Sequence, residues 1–123
     1  MKLTAAEEQL MELIWDKQEL YMKDIIESYP DPKPATTTLA TLLKRMQNKG
    51  FVGYKLMSNS RLYYPLVKKS DYFSKHVKSL IRDFFGSSAM QFASFFTTET
   101  NLSNAELEDL KKIIDNQLKK KKP

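Results

Sequence analysis

The 123-residue sequence predicts a mainly α-helical protein with one small two-stranded β-hairpin. Three observations carry that expectation. Apolar residues recur at helical spacing in three short segments before residue 50, alternate with polar ones between residues 52 and 66, and return to helical spacing from residue 70 onward. Charge divides the chain along the same lines. From Lys33 to Lys69 there are eight Lys/Arg and no acid, whereas the preceding 32 residues hold eight acids against three bases.

Thr4 and Glu7 have the spacing of a capping box, and Leu10, Met11, Leu13 and Ile14 follow at helical spacing up to Trp15, predicting a first helix over 5–17. Tyr21 to Tyr29 forms a second, shorter amphipathic piece through Met22, Ile25, Ile26 and Tyr29, stopped by Pro30 and Pro32. Pro34 suits a helix start, and Ala35 to Lys49 place Leu39, Leu42, Leu43 and Met46 on one side, with Gly50 as the closing cap. The other side carries Thr37, Thr38, Thr41, Lys44, Arg45 and Asn48.

Val52, Tyr54 and Leu56 alternate with Gly53, Lys55 and Met57; Ser58, Asn59 and Ser60 form a turn; Leu62, Tyr64 and Leu66 alternate again. Pro65 implies an edge strand. Three helices and a hairpin within about 65 residues make a winged helix-turn-helix arrangement over 1–69, with Ala35 to Lys49 as recognition helix and Ser58 to Arg61 as wing tip.

From residue 70 the composition changes. Tyr72, Phe73, Val77, Leu80, Ile81, Phe84 and Phe85 line a helix ending at Gly86; Met90, Phe92, Phe95 and Phe96 line a second; Leu107, Leu110, Ile113, Ile114 and Leu118 line a third, opened by a capping box of Ser103 and Glu106. Three such helices are too few to enclose their own apolar faces. We therefore expect residues 70–118 to form an α-helical dimerisation domain, with packing back onto the first domain as the alternative. Residues 119–123 read as a basic, disordered tail.

Composition removes several classes of function. The chain has no cysteine, hence no disulfide, thiolate metal site or thiol catalysis. Glu7 and Glu8 precede any apolar run, unlike a secretory signal, and no stretch approaches a membrane span, so a soluble, cytoplasmic protein without membrane insertion is expected. An enzyme is not expected: the chain has one His, its three Gly are scattered at 50, 53 and 86, and Glu7 and Glu8, being adjacent, point apart on a helix. No cofactor or metal is implied.

The chain carries a surplus of five positive charges; four lysines lie in the tail at 119–122, and it is the internal cluster on the third helix and hairpin that suits double-stranded DNA. Candidate contacts are Thr36, Thr37, Thr38, Thr41, Lys44 and Arg45 on the helix, with Lys55, Asn59 and Arg61 on the wing. Short hydroxyls toward a helix N-terminus and cations toward its C-terminus can meet base edges and phosphates together. Two other readings stand beside this one: a winged helix used for protein-protein contact, whose binding would be insensitive to salt, and a small-molecule-sensing regulator with the Phe-rich region as its pocket.

The runs Thr38-x-x-Thr41-Leu42-Leu43-x-Arg45-x-x-x-Lys49-Gly50-Phe51 and Tyr63-Tyr64-Pro65-Leu66-Val67 resemble the BlaI/MecI/CopY family of bacterial repressors, as do Leu3-Thr4-x-Ala6-Glu7, Trp15, Lys23-Asp24-Ile25 and Leu102-Ser103-x-x-Glu106-Leu107-x-x-Leu110 in order and spacing. The resemblance implies a homodimeric transcriptional repressor on a palindromic operator, with Thr38, Thr41 and Arg45 as DNA contacts. It also implies induction by proteolysis in the dimerisation domain, downstream of a membrane sensor protease. The chain departs from relatives at three points. It lacks the Cys-x-Cys motifs of copper-responsive members, has Pro34 where many carry Trp, and has Asn59 near where many carry a wing Arg, which shifts that role to Arg61 or Lys55.

Overall fold

A computed structural model describes residues 2–121. Its elements are α1 (Ala5–Lys17), α2 (Met22–Ser28), α3 (Thr36–Asn48), β1 (Val52–Met57), β2 (Ser60–Pro65), α4 (Lys69–Phe84), α5 (Ala89–Glu99) and α6 (Asn104–Lys121). The chain divides into two compact units, Met1–Ser74 and Lys75–Pro123.

In the first unit α1 has the expected capping box: the Glu7 amide donates to Thr4 Oγ1 and the Thr4 amide to Glu7 Oε1. Leu10, Met11 and Ile14 of α1, Ile25 of α2, and Leu39, Leu43 and Met46 of α3 share one core, buried to within 1%. Each helix thus gives up one apolar stripe and leaves the opposite stripe to solvent.

Recognition-helix boundaries differ from the sequence expectation at both ends. Ala35 is the N-cap, so Pro34 stands one residue before it rather than inside the first turn. Lys49 is the C-cap, and Gly50 follows in a left-handed conformation (φ +83°). The Phe51 amide reaches back to the Met46 carbonyl (2.9 Å) and the Gly50 amide to that of Gln47 (3.0 Å). This closes a Schellman motif, sealed by the buried Met46 and Phe51.

β1 and β2 pair antiparallel from Val52↔Pro65 to Met57↔Ser60 around Ser58 and Asn59, both with positive φ (50° and 68°). That two-residue loop matches the twist of the strands. Burial in the hairpin does not follow the expected alternation: Leu62 and Tyr63 are buried, Tyr54 and Leu56 are exposed, and Leu66 is 55% exposed. The cause is Leu20, which exchanges two backbone hydrogen bonds with Tyr63 (3.0 and 2.8 Å) and ties the base of β2 to the α1–α2 connection. The outer half of the hairpin extends beyond the helices that would cover it.

α4 begins inside the first unit. Tyr72, expected at a dimer interface, is instead 4% exposed in this core, its ring against Trp15 (5.7 Å) and Phe51 (5.4 Å). Its hydroxyl accepts from the Leu3 amide (3.3 Å) and donates to Glu8 Oε2 (2.9 Å). Trp15 Nε1 donates to the Val67 carbonyl (2.8 Å), fixing the approach to the helix. The first unit therefore runs past residue 69, because the N-terminal segment and α1 offer the aromatic and polar partners that Tyr72 needs.

The second unit holds the rest of α4 with α5 and α6. Phe85 packs on Phe92 and Phe95, and Phe92 stacks on Phe96. The predicted capping box opens α6, Ser103 and Glu106 exchanging hydrogen bonds of 3.0 and 3.1 Å. α6 runs on through Lys119, Lys120 and Lys121, part of the segment read as a disordered tail; cations suit a helix C-terminus, where carbonyl dipoles accumulate negative charge. Lys122 and Pro123 lie outside the described residues. No helix among the described residues is long and apolar enough to cross a membrane.

Candidate nucleic-acid interface

Burial of Leu39, Leu43 and Met46 fixes the rotation of α3. At 100° per residue the opposite direction falls on Thr37, Thr41, Lys44 and Asn48, with Thr38 and Arg45 on one flank; Thr36 lies nearer the buried stripe, at the first position of the helix. All of these are exposed. Thr41 Oγ1 donates to the Thr37 carbonyl (3.0 Å), leaving its lone pairs outward. Lys44 and Arg45 form no ion pair with any described residue, so both cations remain available to an outside anion.

The other cations of the basic stretch behave differently. Lys49 Nζ bonds Glu7 Oε1 at 2.6 Å and the Lys2 carbonyl at 3.2 Å. Glu7 is fully buried, and its second oxygen has no hydrogen-bond partner among the described residues. Burial by itself would raise the Glu7 pKa; the Lys49 hydrogen bond, the two bonds with Thr4 and the Lys49 charge outweigh it and leave the group below its ordinary value. Lys55 lies 3.7 Å from Glu19. Although the stretch from Lys33 to Lys69 contains no acid, these two cations are paired. The acids come from α1 and the turn after it, remote in sequence but adjacent in space.

On the wing, Asn59 occupies the turn and Arg61 lies with its guanidinium 4.2 Å from the centre of the Tyr54 ring. The sequence did not mark the Glu7–Lys49 pair, the Leu20 bridge or the Arg61–Tyr54 contact. Only Glu7 had a usable signal, as the third residue of a capped helix whose apolar stripe runs beside it.

In the second unit, Val77, Leu80, Phe84, Phe95, Leu107 and Ile114 are exposed, and Ile81, Phe85, Phe92 and Leu110 are only partly covered. None of the described residues from Lys75 onward is buried. Phe73, in the first unit, is 39% exposed beside Trp15 and Tyr72.

Three helices, a ribbon, and an exposed face of hydroxyls and unpaired cations on the third helix define a winged-helix regulator of the DNA-binding class. The fold is shared with a complex structure of hsRosR-SG (TM-score 0.53, 18% identity, 98% of this chain and 96% of that one) and a mutant of MarR from E. coli (TM-score 0.50, 16% identity, 95% and 79%). The profile of the penicillinase repressor family matches residues 3–116, and the chain belongs to that family. Among its relatives are the methicillin resistance regulatory protein MecI of Staphylococcus aureus strain N315, 30% identical over 93% of this chain and 94% of that protein, and the penicillinase repressor of Bacillus licheniformis, 22% identical over 98% and 95%. The protein is thus a DNA-binding transcriptional repressor and not an enzyme.

Proposed function

We propose that two copies of the chain act together in the cytoplasm as a homodimer on a palindromic operator, each inserting α3 into a major groove. The observation that carries this is the α3 face, where Thr37 and Thr41 align with Lys44 and Arg45, none of them engaged by an acid among the described residues. Thr36, Thr37, Thr38 and Thr41 meet base edges and phosphates near the helix N-terminus, and Lys44 and Arg45 contact bases or fix register on the backbone. Lys55, Asn59 and Arg61 contact DNA from the wing. The helices from Lys75 to Leu118 are the dimerisation domain, the start of α4 with Tyr72 belonging to the first unit: apolar side chains of which none from Lys75 onward is buried call for a second copy to cover them.

The names of the relatives, a methicillin resistance regulatory protein and a penicillinase repressor, suggest the control of β-lactam resistance genes. Relief of repression by a sensor protease that cleaves the helical domain completes the proposal. The test is titration of a duplex from the gene's own upstream region at several salt concentrations, with mass measured in parallel. A two-subunit complex whose affinity falls steeply with salt through counterion release is the expected result. A single-subunit species that ignores duplex DNA in dilute buffer would overturn the reading.

A further inference from the structure

One face of the wing is built around a guanidinium. The register sets Tyr54 opposite Tyr63 and Leu56 opposite Arg61, so these four side chains share a side of the ribbon. Tyr63 is buried and anchors the face to the core. The Tyr54 ring lies 5.9 Å from that of Tyr63, and Arg61 rests on the Tyr54 ring, so contacts run unbroken from the core to the wing cation. Leu56, beside Arg61, is 68% exposed and has no part in the core cluster. Lys55 projects from the other face toward Glu19. Arg61 has no ion pair among the described residues.

We infer that Tyr54 is a positioning residue that holds Arg61 extended for a DNA minor groove, with Leu56 packing on its sugar walls, so that the repressor selects narrow, A·T-rich sequence beside the bases read by α3. This rests on the DNA-binding reading above. A narrow minor groove concentrates negative potential and favours a weakly hydrated guanidinium over an ammonium group. An exposed leucine gains nothing on a phosphate ridge, whereas sugar edges and base steps offer it an apolar surface. The Tyr54 ring fixes the guanidinium over one face of the ribbon, so less side-chain freedom is lost when it meets the groove.

The experiment is selection from a random duplex pool with the full-length protein, comparing the parent chain with Tyr54→Phe, Tyr54→Leu and Arg61→Lys, with a melting curve for each. The parent chain should enrich a half-site motif flanked by A·T runs, and Tyr54→Phe should match it. Tyr54→Leu should keep the half-site and the melting temperature but lose about two- to fivefold of the flank enrichment, the size expected for an exposed cation–π contact, and Arg61→Lys, which alters the groove contact itself, should lose at least as much of it. Undiminished flank enrichment in Tyr54→Leu, or equal loss of flank and half-site, overturns the inference. So does a parent motif without A·T flanks, which leaves the DNA reading intact; a pool with no enriched motif removes both.

Discussion

Replacing Lys49 by methionine tests the least expected contact in the molecule. The substitution retains most of the aliphatic stem and deletes the charge that lies 2.6 Å from Glu7 Oε1. Glu7 is fully buried and one of its oxygens already lacks a partner, so the variant leaves a carboxylate held by Thr4 alone. Breaking a buried pair by removing one member costs about 3–5 kcal/mol. Against a domain stability of about 5–15 kcal/mol, that is a large fraction. The double variant Glu7→Leu with Lys49→Met removes both charges and forfeits mainly the capping acceptor for the Thr4 amide, worth about 1 kcal/mol. It should therefore be more stable than Lys49→Met alone by about 2 kcal/mol or more, a coupling that only a direct interaction produces. Urea denaturation at fixed protein concentration, followed by far-ultraviolet circular dichroism, measures both. A single variant within about 1 kcal/mol of the parent, or a double variant as unstable as the two singles summed, would refute the reasoning.

The same pair predicts an acid limb. The folded-state pKa of Glu7 is depressed below its ordinary 4.5, so its contribution is complete above that value and is lost as pH falls below it toward the folded pKa; Glu7→Gln should flatten the stability profile in that window, and an unchanged slope would contradict the assignment. Arg45→Ala should weaken operator binding by about 1–3 kcal/mol in a gel-shift titration while sedimentation gives an unaltered oligomeric mass. Ile114, 59% exposed on α6, should tolerate Asp in the isolated subunit's fold but not in a dimer, so Ile114→Asp is expected to sediment as a monomer with retained helical signal; a persistent dimer would remove α6 from the interface.

Sequence periodicity was enough to find the helices and the hairpin, because their residues are sorted by local spacing against one core. α1 begins and ends at the predicted residues, and the α3 stripe of Leu39, Leu43 and Met46 is the buried one. What escaped was set by contacts between distant segments. Tyr63 rather than Tyr64 is buried because Leu20, some forty residues earlier, bridges to it. Tyr72 belongs to the first unit because its ring and hydroxyl find Trp15, Phe51, Leu3 and Glu8 there. The exposed α3 face was legible residue by residue, since amphipathicity is local. Which cations stay unpaired was not, because Glu7 and Glu19 reach Lys49 and Lys55 only through the fold.

The only indole in the protein, Trp15, contacts the rings of Tyr72 and Phe73 at 5.7 and 5.9 Å and donates to the Val67 carbonyl at 2.8 Å. An expression fragment cut after Lys69 would keep Val67 but strip away Tyr72 and Phe73 and open the fluorophore to water, whereas one carried through Ser74 retains both rings. Emission wavelength thus gives a label-free gauge of whether a truncated version retains its proper aromatic lining.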